Sequence, residues 1–164
     1  MSNSVVVDTS LAIKWLVNES DSPAAFALLR SWNIDSMILY APDLLLYEIC
    51  NALYQNVRRN KYTMQQARDA LDEIVTFKIT FISSNTSNLG KRALEFAYQY
   101  GLPAAYDVYY LALAEREQCE LWTADMRLWK AVQGKIDWVR NLGGYTIAVS
   151  EEKSDNGIAG TESE

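Results

Sequence analysis

Val5-Val6-Val7-Asp8-Thr9-Ser10 is an apolar, β-branched run that stops on a carboxylate and continues with two hydroxyl residues. Val5 to Val7 read as a strand buried on both faces, because β-branched side chains suit a pleated surface and no polar residue alternates with them. Asp8 is then the first residue beyond the strand. In an open parallel α/β sheet, ligands sit in the crevice past the carboxyl ends of the strands, which puts Asp8 where chemistry is done. Asp, Thr and Ser are equally favoured as caps for the helix expected from Leu11, so this stretch alone leaves capping and catalysis both open. Whether other isolated acids converge on Asp8 decides between them.

A second copy of the arrangement lies far along the chain. Leu121-Trp122-Thr123 is a short strand, Ala124-Asp125 follows, and Met126 to Val132 have helical spacing, so Asp125 repeats strand, acid, helix. Two more acids stand on helices. After Gly101 and Pro103, Asp107 shares a face with Ala104, Leu111 and Ala114, at spacings of three, four and seven. Burying an unpaired carboxylate there costs many kcal/mol, so Asp107 needs a partner, a cation or a cleft; a buried salt bridge or a helix-dipole role is the structural alternative. In the long helix capped by Asp43, Leu45, Ile49, Ala52 and Leu53 share an apolar arc, and Glu48 falls at its edge, as a site group or as a snorkelling side chain.

The remaining segments frame these four. Ser22 with Pro23 opens a helix through Leu29, and Met37 to Ala41 is a strand closed by Pro42-Asp43. Arg58, Arg59 and Lys61 form a basic corner before Thr63, which caps a further helix and completes an antiparallel helical pair. Ile79 to Ile82 is a third strand ahead of a turn cluster from Ser83 to Ser87, the helix from Leu89 ends at Gly101, and Ile136 to Leu142 supplies a fifth strand. Strands alternate with helices and there is no internal repeat, so the fold class is α/β with a mainly parallel sheet of four to five strands. Tyr109, Tyr110 and Trp129 are candidates for a dimer interface.

Composition narrows the chemistry. With 164 residues, 49% hydrophobic and 22% charged, the chain reads as one ordinary globular domain over residues 1–149, followed by an acidic tail, 150–164, expected to be disordered. That tail holds five acids against Lys153 alone, four of the six net negative charges, so the folded part is close to neutral and the charge does not exclude a nucleic-acid substrate. No apolar run approaches the roughly 20 residues that cross a bilayer, and Met-Ser-Asn-Ser lacks the basic segment of a secretion signal; a cytoplasmic protein is expected. Cys50 and Cys119 are read as reduced, packed thiols. There is no histidine, which removes imidazole bases, histidine-dependent triads and Cys/His zinc sites. Any acid-base or metal chemistry then rests on carboxylates. Four carboxylates meeting at one sheet edge repel unless cations are present, and hard oxygen ligands favour Mg²⁺ or Mn²⁺, the combination that hydrolyses phosphodiesters without histidine.

Val5 to Ser10, Tyr47-Glu48, Ala105 to Ala114 and Leu121 to Leu128 together resemble the four acidic motifs of the PIN domain, most closely its VapC-type toxin branch, in order and over about Val5 to Leu142. The resemblance implies a three-layer α/β/α sandwich and a metal-dependent endoribonuclease of a toxin-antitoxin system. Asp8 and Asp107 would be the principal Mg²⁺ ligands, with Mn²⁺ able to substitute, Glu48 and Asp125 would complete the pocket directly or through water, and Ser10 and Thr123 would orient carboxylates or water. It further implies an RNA substrate of unspecified sequence, a small antitoxin partner and a homodimer. A housekeeping RNA-processing PIN nuclease, or a PIN module that binds RNA without cleaving it, is the competing reading. A phosphoacceptor domain fits poorly: Ser10 interrupts any Asp-x-Asp, the third strand ends on Ser83-Ser84 with no acid, and no Gly-rich phosphate loop is present.

Overall fold

The computed structural model describes residues 3–85, 88–102 and 106–145. Strands β1 (Ser4–Val7), β2 (Ile38–Pro42), β3 (Thr80–Ile82), β4 (Glu120–Thr123) and β5 (Val139–Asn141) form one sheet in the order β3-β2-β1-β4-β5. Every pairing is parallel, with Val5 opposite Leu39 and Val6 opposite Leu121. The central strand is the valine run, and burial explains why it is central: Val5, Val6 and Val7 are each at most 1% exposed. A strand covered on both faces needs helices on both, which parallel crossovers provide. The chain belongs to the α/β class, as its alternation of elements predicts.

The helices are α1 (Thr9–Ala12), α2 (Ser22–Ile34), α3 (Leu44–Arg58), α4 (Met64–Glu73), α5 (Leu89–Tyr100), α6 (Val108–Glu117) and α7 (Met126–Val132). The helix α6 lies against β1, β2 and β4 and packs on α5. Its Leu111, Ala112, Leu113 and Ala114 are all buried, so this is the most deeply enclosed helix described. Thr63 caps α4 as expected, its hydroxyl accepting from Gln66 N at 3.1 Å while the Gln66 side chain accepts from Thr63 N at 2.9 Å. Gly101 closes α5 with φ of 61°, a left-handed conformation that glycine adopts at little cost.

Several local expectations are corrected. The first helix starts at Thr9, two residues before Leu11, because Asp8 itself is the N-cap. Ser22 lies inside α2, whose N-cap position belongs to Asp21, and the Ser22 hydroxyl donates to Val17 O at 3.0 Å instead. Asp43 stands at the start of α3 without capping it: its carboxylate accepts from Ser84 N at 3.3 Å and Ser84 Oγ at 2.7 Å, tying α3 to the turn after β3. The helix carrying Asp107 begins at Val108; Pro103, Ala104 and Ala105 lie outside the described residues, as do Thr86, Ser87 and the acidic tail. Cys119 is a buried free thiol, whereas Cys50 is free and exposed. Tyr110, expected as an interface residue, is 2% exposed in the core, and Tyr109 and Trp129 are half-buried.

The strand order places a topological switch between β1 and β4. Chain connections run outward to β2 and β3 on one side and to β4 and β5 on the other, so a crevice opens beyond the carboxyl ends of β1 and β4, where open α/β sheets bind ligands. Asp8 follows β1 directly, and Thr123 ends β4 two residues before Asp125.

Candidate active site

At the centre of the crevice, Asp8 is 5% exposed. Its Oδ1 accepts from Ser10 Oγ at 2.7 Å and from Leu11 N at 3.0 Å, and its Oδ2 accepts from Thr123 Oγ1. Those hydroxyls are themselves braced. Ser10 Oγ accepts from Ala124 N at 2.8 Å, and Thr123 Oγ1 accepts from Asp125 N at 2.9 Å, so the end of β1 and the turn after β4 form one hydrogen-bonded unit. Burial pushes the Asp8 carboxyl from 3.8 up to about 6 despite its three donors, and the charge of Asp125 adds to the push.

Glu48 reaches the same edge from the second turn of α3. Its Oε2 accepts from Thr9 Oγ1 at 2.5 Å and from Tyr110 OH, and the two hydroxyl oxygens lie 2.7 Å apart. Oε1 has no hydrogen-bond partner among the described residues. Burial and the negative charge of Glu48 push the Tyr110 phenol above its ordinary range, so it remains a proton donor throughout physiological pH.

Asp125 accepts from Arg127 N at 2.7 Å, capping α7, and pairs with the Arg127 guanidinium at 3.0 Å. Burial works against its charge, but the Arg127 contacts win and hold the carboxyl below the ordinary range. Asp107 differs from the other three. It occupies the N-cap position of α6 but its side chain caps nothing and has no hydrogen-bond or ion-pair partner among the described residues. Burial, then the charges of Asp125 and Glu48, push its carboxyl upward, with Arg127 pulling the other way.

Electrostatic coupling thus links Asp8 to Asp125 and Asp107 to both Asp125 and Glu48, so the fold brings all four acids to one edge. Among the described residues no three acids close into a cage around an ion. A cavity of about 730 Å³ lies at the opposite end of the strands, beside Ser4, Met37 and Cys119. It is remote from this chemistry.

Three residues of the cluster escape sequence reasoning: Thr9, Tyr110 and Arg127. The hydroxyl next to Asp8 looks like a cap, the aromatic in an apolar helix looks like core, and the arginine after Asp125 looks solvated. Only Arg127 had an available signal, its two-residue spacing from an acid at a helix start.

Residues 5–135 match the PIN domain. The chain belongs to the PIN-domain family. Within that family it is of the VapC type: it is 31% identical over 124 residues to Ribonuclease VapC9 of Mycobacterium tuberculosis, covering 76% of this chain and 87% of the relative. It is 28% identical over 125 residues to Ribonuclease VapC3 of Pyrobaculum aerophilum, covering 76% and 91%. Two solved structures share the PIN fold. PAE2754 from Pyrobaculum aerophilum has a TM-score of 0.62 at 19% identity over 90% of each chain. VapBC2 from Rickettsia felis, bound to a DNA fragment from its promoter, has a TM-score of 0.58 at 14% identity over 84% of this chain and 98% of the other. The four acids and the switch-point crevice all fall inside the matched residues.

Proposed function

We propose that this PIN domain is a Mg²⁺-dependent endoribonuclease, the toxin of a toxin-antitoxin pair, that hydrolyses RNA through Asp8, Glu48, Asp107 and Asp125. The observation that carries the reading is Asp107: a half-buried carboxylate with no partner among the described residues, facing two other acids, is a site in need of a cation. The donor set fits Mg²⁺, which takes one or two carboxylates and keeps several waters, and so needs no closed cage of three acids. Asp8 and Asp107 would hold it, and Glu48 and Asp125 would reach it through water. Mn²⁺ would fit the same oxygens.

Each side chain then has a task. Asp8 presents a fixed carboxylate, because Ser10, Thr123 and Leu11 N determine both its oxygens. Glu48, clamped at Oε2, offers Oε1 to a water or cation. Asp107 supplies a negative charge that no hydrogen-bond donor among the described residues shares. Arg127, with a side chain 85% exposed, places a guanidinium beside the acids, where it meets an RNA phosphate. When bound, Mg²⁺ supplies charge stabilisation at the scissile phosphate and acidifies water. Without histidine in the chain, proton transfer falls to these carboxylates and to solvent.

The VapC-named relatives and the VapBC2 structure support an antitoxin partner. We extend the proposal to a homodimer: Tyr47 (73% exposed), Tyr54 and Met64 are apolar residues presented to solvent on α3 and α4, and Tyr54 and Met64 border a cavity of about 280 Å³ between those helices. No helix among the described residues is long and apolar enough to cross a membrane. The decisive experiment incubates the full chain with structured and unstructured RNA in Mg²⁺, Mn²⁺ or chelator, beside Asp8→Ala. Cleavage that requires both the metal and Asp8 supports the nuclease; RNA binding without cleavage in any metal gives the RNA-binding module instead.

A further inference from the structure

The two hydroxyls on Glu48 do something that packing alone does not require. Tyr110 follows Asp107 by one helical turn on α6, and Thr9 is the residue after Asp8, so each donor is carried by the element that also carries one of the two acids flanking the crevice. Both converge on the same oxygen, Oε2, side by side, their own oxygens 2.7 Å apart. A glutamate has three side-chain torsions and ordinarily wanders; two donors from separate elements remove that freedom. Oε1 is left without a protein partner, on the side chain whose charge Asp107 feels.

We propose that Tyr110, acting with Thr9, is a positioning residue of this site, locking Glu48 through Oε2 so that Oε1 is pre-aimed at the cation held with Asp107 or at that cation's bound water. The role rests on the metal-site reading above. Tyr110 belongs to the support around the ligands, whose removal typically costs 10- to 100-fold in metal affinity although it never touches the metal. Because the hydroxyl works through Glu48, its effect exists only while Glu48 is a carboxylate. The ring itself fills the core, being 2% exposed, and Tyr110→Phe keeps that packing while deleting the donor.

The test measures Mn²⁺ binding directly, from the free-Mn²⁺ electron paramagnetic resonance signal, for the full chain, Tyr110→Phe, Glu48→Gln and the double variant, together with the Mg²⁺ concentration giving half-maximal RNA cleavage. Tyr110→Phe is expected to weaken Mn²⁺ about tenfold, to raise the half-maximal Mg²⁺ by a similar factor, and to recover parental cleavage at saturating metal. Adding Tyr110→Phe to Glu48→Gln is expected to change nothing further. Parental affinity in Tyr110→Phe, or an equal loss in the Glu48→Gln background, overturns the positioning role while leaving the metal site standing. No Mn²⁺ binding by the parent chain overturns the metal-site reading and the positioning role with it. Thr9→Val removes the other donor to the same oxygen and carries the same expectations if Tyr110→Phe does not fold, and Thr9→Ser, which restores the hydroxyl, is expected to rescue affinity.

Discussion

Asp8 and Asp107, both coupled to Asp125, are built in opposite ways. Asp8 ends a strand, caps a helix and has all its oxygens assigned to donors; Asp107 begins a helix and engages none. Asp8 is therefore part of the architecture, whereas no hydrogen bond among the described residues gives Asp107 an architectural task. In one small cluster, structural and chemical roles are separated by whether the fold supplies hydrogen-bond donors.

The contrast breaks most visibly at Asp107. Asp107→Asn is expected to lower RNA cleavage by roughly 10²-fold or more, since a misplaced or missing ligand disrupts the reacting geometry. The same substitution is expected to raise the melting temperature of the chelated protein at neutral pH, because it removes a charge that burial, Asp125 and Glu48 all oppose. Lower melting with intact cleavage would place Asp107 among the structural acids.

Asp8 gives the next largest effect, read through pH. Its folded pKa of about 6 lies above the unfolded 3.8, so the unfolded chain loses this proton first. The stabilising difference is fully present below about pH 3.8 and disappears as pH rises through 6, a contribution of roughly 3 kcal/mol at most by linkage. In chelator, Asp8→Asn is expected to gain on the parent across that window and to plateau above it, which denaturant titrations at pH 4, 5, 6 and 7.5 measure. A parent-minus-variant difference that is flat with pH would show that Asp8 is not buried as an acid.

Asp125 sharpens the comparison from the other side. It caps α7 and is held below the ordinary range by Arg127, so its charge favours the fold and its stabilisation is lost only as pH falls through the folded value. Asp125→Ala is expected to cost about 1 kcal/mol in chemical denaturation at pH 7, the usual price of a lost N-cap, whereas Asp107→Ala has no cap to lose. Equal costs at the two positions would erase the distinction.

Much of this was legible in the residues. The valine run, the two strand-acid-helix repeats, the bounds of α7 and the Thr63 cap all follow from local chemistry, because period, β-branching and cap preference act over a few residues. The four acids stand out in the residues as exceptions to those local rules, Asp107 most of all, although the apolar helix itself begins one residue later, at Val108. What sequence could not show were partners distant along the chain. Asp43 has every local mark of a cap, yet Ser84 takes its carboxylate; Tyr110 has every local mark of core, yet its hydroxyl finds Glu48. Capping does not exhaust Asp8, where one oxygen caps α1 and the other receives Thr123. Local pattern identifies which residues are unusual, and tertiary structure decides what they meet.

The bond from Thr123 to Asp8 joins positions 115 residues apart. During translation, at about 5–20 residues per second, Asp8 is incorporated roughly 6 to 23 seconds before the hydroxyl that fixes it. The sheet imposes the same order, because β1 gains its β4 neighbour only when Glu120 to Thr123 have been made. A nascent chain therefore carries its first acid for most of its synthesis without a site to put it in. The pocket is therefore completed late: most of the domain has been made before Asp8 can meet the hydroxyl that holds it.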